Sequence, residues 1–307
     1  MLTTTPIGLL TRRGFLEASA AAAGAALAGT SLSATRAAPV DSSGAGADKT
    51  APVIDCHSHL SFRKTPDEVG NDLEVLDAAD RLGIDQLCCS ILCSRPASVE
   101  GFRACNAALA AAIKRHPNRL LGYCYVNPEH GREALDEIRR CLDQEGFIGV
   151  KLYNERVCTD PIVAPLVELT IELGAVILHH AGHGHAPFPG QPNISDGGHL
   201  AELGRRYPEA RLICAHVGGG GDWEWTIKAL RHAQNVYLDT SGSVTDEGIV
   251  ELAARTLGVD RLLFGCDMSF TAGVGKIRGA ALSAEEKQQI LSGNLLRLLA
   301  ERKRKKA

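Results

Sequence analysis

Short apolar runs alternate with amphipathic stretches between residues 53 and 299 of this chain. The apolar runs occupy 53–57, 84–92, 120–126, 147–153, 175–180, 211–216, 236–239 and 261–266. Each is continuous rather than alternating, as in strands buried on both faces of a parallel sheet. Between them, 72–82, 99–115, 132–144, 162–173, 197–207, 223–232, 246–257 and 284–299 carry apolar positions at helical spacing. Eight strand–helix units in about 250 residues predict an α/β fold, a single-domain (β/α)8 TIM barrel over residues 52–300. A doubly wound open sheet is the competing architecture.

The segment ahead of the first strand has a different character. Thr11-Arg12-Arg13-Gly14-Phe15-Leu16 forms a twin-arginine pattern, followed by an Ala/Gly-rich stretch and small residues near Ala37. This predicts a twin-arginine signal peptide over 1–37, recognised by the Tat export machinery, and a periplasmic or secreted destination. The stretch is too rich in Ala and Gly for a stable membrane anchor. Residues 38–51 read as a flexible linker and 301–307 as a basic, solvated tail.

Composition changes this picture little. The hydrophobic share of 45% and charged share of 22% suit a soluble globular domain. The net charge of −3, without a basic stripe interleaved with aromatics, excludes nucleic acid as the main partner. A small-molecule substrate is expected, and a homo-oligomer is compatible with the chain. The ten cysteines would suggest disulfides in an exported protein. Most sit inside apolar runs, however, where cysteine acts as a small buried hydrophobe.

In a barrel, chemistry gathers where strands end and loops begin. The polar residues at those ends are His57 and His59 on the first strand, Lys151 on the fourth and His179-His180 on the fifth. The sixth ends at His216 and the eighth at Asp267. Strict alternation would place Asp55, His57 and His59 on one face, so that two imidazoles converge on one metal ion. It also puts Val176, Leu178 and His180 together, with His179 on the opposite face. The aperiodic 183–199 loop reads as a lid or specificity element, offering His183 and Asp196. Arg63 and Arg156 are candidates for a substrate carboxylate. Gly218 to Gly221 reads as a tight turn that passes close to the site.

Asp55-Cys56-His57-Ser58-His59, Gly149-Val150-Lys151-Leu152-Tyr153, Leu178-His179-His180-Ala181-Gly182, Ala215-His216-Val217-Gly218 and Leu263-Phe264-Gly265-Cys266-Asp267 together resemble the metal-dependent amidohydrolase superfamily. The closest resemblance is to its amidohydrolase-related branch, whose last helix is also similar to Ile290-Leu291-Ser292-Gly293-Asn294. The resemblance implies one divalent metal held by His57, His59, His180 and Asp267; zinc fits, as do manganese and iron. It also implies a catalytic Asp267 that moves protons and a catalytic His216 that orients water. Lys151 is then either a carbamylated bridge between two metals or a partner for substrate carboxylate or structure. The expected activity is hydrolysis of a small carboxylate-bearing amide, ester or lactone. The alternative is non-oxidative decarboxylation of an aromatic or enoic acid on the same scaffold; a non-catalytic metal-binding or ligand-binding barrel stands third.

Overall fold

The computed structural model describes residues 51–61, 71–186 and 188–306. The twin-arginine segment, most of the linker and Arg63 lie outside the described residues. Eight strands pair in chain order, all in parallel: β1 (Ile54–His59), β2 (Gln86–Ser90), β3 (Leu120–Tyr125), β4 (Gly149–Leu152), β5 (Val176–His179), β6 (Arg211–Cys214), β7 (Val236–Asp239) and β8 (Leu262–Leu263). The ring closes through backbone hydrogen bonds from Cys56 N to Phe264 O (2.8 Å) and from Asp267 N to His57 O (2.7 Å). This is a (β/α)8 barrel, and the open-sheet alternative falls with the closure.

Two apolar layers follow from strand alternation. Ile54, Cys56, Cys88, Tyr123, Leu178 and Ile213 fill the barrel interior. Their sequence neighbours, among them Leu87, Cys89, Cys124, Val150, Ile177 and Leu212, face the helices outside. The regular face expected for Asp55, His57 and His59 does not hold on β1. Asp55 pairs with Leu87 and Ser58 with Cys89, so Cys56 and His57 together oppose the single Cys88. That extra residue is a bulge, and it turns a side chain that would point outward towards the barrel axis. Cys56 packs in the interior, and its neighbour His57 reaches inward as well.

The outer layer holds α1 (Asp72–Arg81), α2 (Val99–Arg115), α3 (Gly131–Arg139), α4 (Ala164–Glu172), α5 (Gly197–Arg206), α6 (Trp223–Leu230) and α7 (Ile249–Leu257). Its caps are the expected ones: Ser98 accepts from Gly101 N, Asp196 from His199 N and Asp222 from Trp225 N. One helix, α8 (Phe270–Gly279), has no counterpart in the sequence pattern. Three glycines in ten residues give it a poor intrinsic propensity. Tertiary contact overrides that preference, because a Cβ on Gly273 would lie 2.7 Å from Cys266 Sγ. Only glycine lets this helix lie so close to the end of β8. The closing segment comprises α9 (Ala284–Gln288), a π-turn (Gln289–Gly293) and α10 (Asn294–Lys306). No helix among the described residues is long and apolar enough to cross a membrane.

Asn294 explains part of the terminal motif. It is fully buried, and its Nδ2 donates to the carbonyls of Val259 (2.7 Å) and Leu262 (2.8 Å), which ties α10 to the entry of β8. Asn294→Leu should leave two carbonyls without a donor and cost about 2–3 kcal/mol. Thermal unfolding should then shift down by roughly 5–10 °C; an unchanged midpoint would show that water satisfies both groups.

Candidate metal centre

The site is built around a carboxylate at the end of β7. Asp239 is completely buried. Its Oδ2 lies 2.8 Å from His57 Nδ1, while Oδ1 accepts from the backbone N–H of Ser241 (2.8 Å) and His216 (3.0 Å) and from the Ser241 hydroxyl. Burial alone would raise its pKa, but the His57 imidazole and these hydrogen bonds hold it far below the usual carboxylate range. An ionised Asp239 only accepts, so His57 carries its proton on Nδ1 and presents the Nε2 lone pair to the barrel axis. Such carboxylate–histidine pairs orient imidazoles that bind metal.

The other strand ends converge on this point. His59 Nε2 lies 3.1 Å from Asp267 Oδ1, and its Nδ1 meets the Ser90 hydroxyl at 2.9 Å. Asp267 Oδ1 is 3.6 Å from His57 Nε2, and its Oδ2 is 3.6 Å from His216 Nδ1. Burial works against the Asp267 charge, but the His59 hydrogen bond and the surrounding imidazoles hold its pKa below the ordinary range. His216 (φ 68°), Asp267 (φ 45°) and Met268 (φ 64°) all adopt the left-handed region that side chains avoid. The bonds from His216 N to Asp239 and from Asp267 N to His57 O hold the first two there. Strain concentrated at strand ends marks a functional end of the barrel.

His57, His216 and Asp267 each offer a ligand atom, and these atoms lie within 4.8 Å of one another. Donors around a divalent ion at about 2.0–2.2 Å require little further closure. The chemistry fits as well. Burial lowers the pKa of His57, His59 and His180, and takes His216 down to about 4, so the imidazoles stay neutral with lone pairs available. His180 reaches the group through His216, its Nδ1 lying 3.0 Å from His216 Nε2. His216 is thus closer to the centre than the expected division between ligand and catalyst assumes. His179 faces away, with its Nδ1 against the His180 carbonyl at 2.7 Å.

Lys151 is fully buried, and its Nζ lies 2.8 Å from His57 Nε2. Burial pushes its pKa down to about 8, against the pull of Asp267 and Asp239. One imidazole lone pair serves one partner, so this hydrogen bond and a metal bond at Nε2 exclude each other.

Two groups beside the site, Tyr153 and Arg95, are given no role by the sequence. Tyr153 stacks on His180 with centroids 4.0 Å apart and planes at 15°, and the Arg95 guanidinium lies 4.2 Å from the Tyr153 ring centre. Asp239, by contrast, ends an apolar run, and the rule that singled out Asp267 also points to it. The remaining candidates lie apart. His183 pairs with Asp196 at 3.2 Å and stacks on Trp225. Arg156 is engaged by Glu129 at 2.7 Å and is no free carboxylate receptor. Gly220, at φ 82°, brings the chain against the His183 loop: a Cβ there would lie 2.3 Å from the His183 carbonyl oxygen.

The amidohydrolase family model (Amidohydro_2) matches residues 54–300. The chain belongs to this family. Among curated amidohydrolase relatives, the 2-amino-3-carboxymuconate-6-semialdehyde decarboxylase of Dictyostelium discoideum is 23% identical over 238 residues, covering 63% of this chain and 65% of the relative. The gamma-resorcylate decarboxylase of Polaromonas sp. (strain JS666) is 24% identical over 226 residues, covering 56% and 66%. The chain therefore spans just under two thirds of the length of these two relatives. A solved dihydroxybenzoic acid decarboxylase from Polaromonas sp. JS666, with bound manganese and the inhibitor 2-nitroresorcinol, superposes with a TM-score of 0.62 at 19% identity. That superposition covers 82% of this chain and 97% of the other. At this identity the likeness concerns the fold.

Depressed histidine pKa values mean that protons compete weakly for the donors. Metal retention, measured by elemental analysis after dialysis, should persist to lower pH than exposed imidazoles allow and be lost towards pH 4, where His216 protonates. Midpoint loss near pH 6.5 would show ordinary exposed imidazoles. Lys151→Met removes a buried cation beside the centre and should tighten metal binding by about tenfold or more. Loss of metal in that variant would instead identify the lysine, once carbamylated, as a ligand.

Proposed function

We propose that this amidohydrolase is a metal-dependent decarboxylase that releases CO2 from a small aromatic or enoic acid. The observation that carries the choice over hydrolysis is that both curated relatives, which match more than half of the chain, are decarboxylases. The site chemistry supports the choice. Lys151 and Arg95 bring positive charge to a cluster otherwise made of imidazoles and carboxylates, which suits an anionic substrate. The bound manganese of the related structure makes that metal as good a candidate as zinc.

In this reading, a divalent ion held by His57, His59, Asp267 and one or both of the facing imidazoles, His180 and His216, supplies Lewis acidity towards substrate oxygens. The Arg95 guanidinium, held over one face of Tyr153 while His180 stacks on the ring, receives the substrate carboxylate. Asp267, ionised on arrival, accepts the proton of a substrate hydroxyl and returns it to the carbon bearing the carboxylate, the oxygen becoming a carbonyl until CO2 leaves. A new C–H bond forms there. The adjacent C–C bond then breaks, its electron pair stays with the substrate carbon, and CO2 departs. His216, fixed by Asp239 and Ser241, keeps the Asp267 carboxylate aimed at that carbon.

A panel of hydroxybenzoates and unsaturated dicarboxylates, scored for CO2 separately from amide, ester and lactone cleavage, tests the proposal. Turnover should release one CO2 per substrate. Asp267→Asn should lower the rate by about 100-fold or more, and Arg95→Ala should raise KM more than it lowers kcat. Hydrolysis products without CO2 would return the assignment to the hydrolase reading.

A further inference from the structure

A second cluster of metal-type donors lies on the loops beside the site. His183 Nδ1 faces Asp196 Oδ2 at 3.2 Å, and the opposite ring nitrogen, Nε2, faces Asp222 Oδ2 at 3.8 Å. The same Asp222 oxygen is 3.7 Å from His185 Nδ1. His183-Gly184-His185 thus repeats the two-histidine spacing of β1, and a carboxylate from another loop stands opposite both rings.

The arrangement repeats the logic of the Asp239–His57 pair. A carboxylate holds one nitrogen of His183 and leaves the other directed at a second acid. The His183 ring is fixed further by its stack on Trp225, with centroids 3.8 Å apart and planes at 8°. Backbone hydrogen bonds lace the two loops: His183 N donates to Gly219 O (3.1 Å), and Asp222 N donates to His183 O (3.2 Å). Each acid also divides its work between two oxygens. Asp222 caps α6 through Oδ1 and Asp196 caps α5 through Oδ1, so the Oδ2 atoms remain for the histidines.

Donors at about 2.0–2.2 Å around a tetrahedral ion are separated by roughly 3.3–3.5 Å. The two separations at Asp222 exceed that by a few tenths of an ångström. His185 is almost fully exposed, with a side-chain exposure of 92%, and its ring must turn towards His183 before the three donors can share one ion. A cavity of about 340 Å³, lined in part by His183, His185, Gln191 and Asp196, lies beside the two histidines.

We propose that His183, His185 and Asp222 form a second, solvent-accessible site for a borderline transition-metal ion such as zinc, with Asp196 orienting His183. Two imidazoles and one carboxylate match that ion class. The bound ion clamps the loop after β5 to the loop after β6, the two loops that follow His180 and His216. The site does not depend on which reaction the central residues perform.

Calorimetric titration of zinc into protein already brought to one zinc per chain tests this. One further ion should bind, with a Kd of about 1–100 μM. His185→Ala and Asp222→Asn should each weaken this second step at least tenfold while leaving the first zinc in place. Asn preserves the helix cap, so Asp222→Asn should keep the thermal midpoint of the parent. Asp196→Asn should weaken the second step by about 10–100-fold through His183 alone. Saturation at one zinc per chain, or a second ion indifferent to both His185→Ala and Asp222→Asn, would overturn the assignment.

Discussion

Asp239 is the constraint on which the site depends. Its buried charge survives because four groups meet its two oxygens: the His57 ring, the backbone N–H groups of His216 and Ser241, and the Ser241 hydroxyl. An unpaired buried carboxylate would be strongly destabilising. Here the demand for partners works in the other direction. It sets the His57 tautomer, holds His216 in an unfavourable backbone conformation and fixes Ser241 beneath the imidazole. One acid on β7 thus positions residues from β1 and from the end of β6, and through them Asp267 and His180.

The positions of most strands and helices were legible because parallel strands covered on both faces leave continuous apolar runs, which loops do not. The residues that meet at the centre were legible for a related reason: a charged or imidazole side chain at the end of such a run has few places to go except the mouth. Three things escaped that logic. The β1 bulge depends on pairing with β2, which no local pattern records. Helix α8 forms against its own propensity because Gly273 fits under Cys266. The contacts of Arg95 with Tyr153, and of His183 with Asp222, join residues on separate loops, and no periodicity links them.

The competing demands on His57 Nε2 bear on how the centre is used. A buried ammonium and a divalent cation compete for one lone pair, so loading the centre requires Lys151 to lose its partner or its proton. The lysine thereby opposes metal entry while adding to the positive field that would draw an anionic substrate. A buried ionisable group of this kind is better understood as part of the reaction site than as a contributor to stability.

The seam that closes the barrel carries a consequence for how the molecule forms. Asp267 N bonds to His57 O, so the last strand end completes the backbone around the first pair of histidines, 210 residues earlier in the chain. A contact so distant in sequence carries a loop-closure cost that local contacts do not. Until β8 arrives from synthesis or refolding, β1 has an open edge and the donor set lacks Asp267. The full donor set and the closed ring therefore share one requirement, that the end of β8 be in place beside β1.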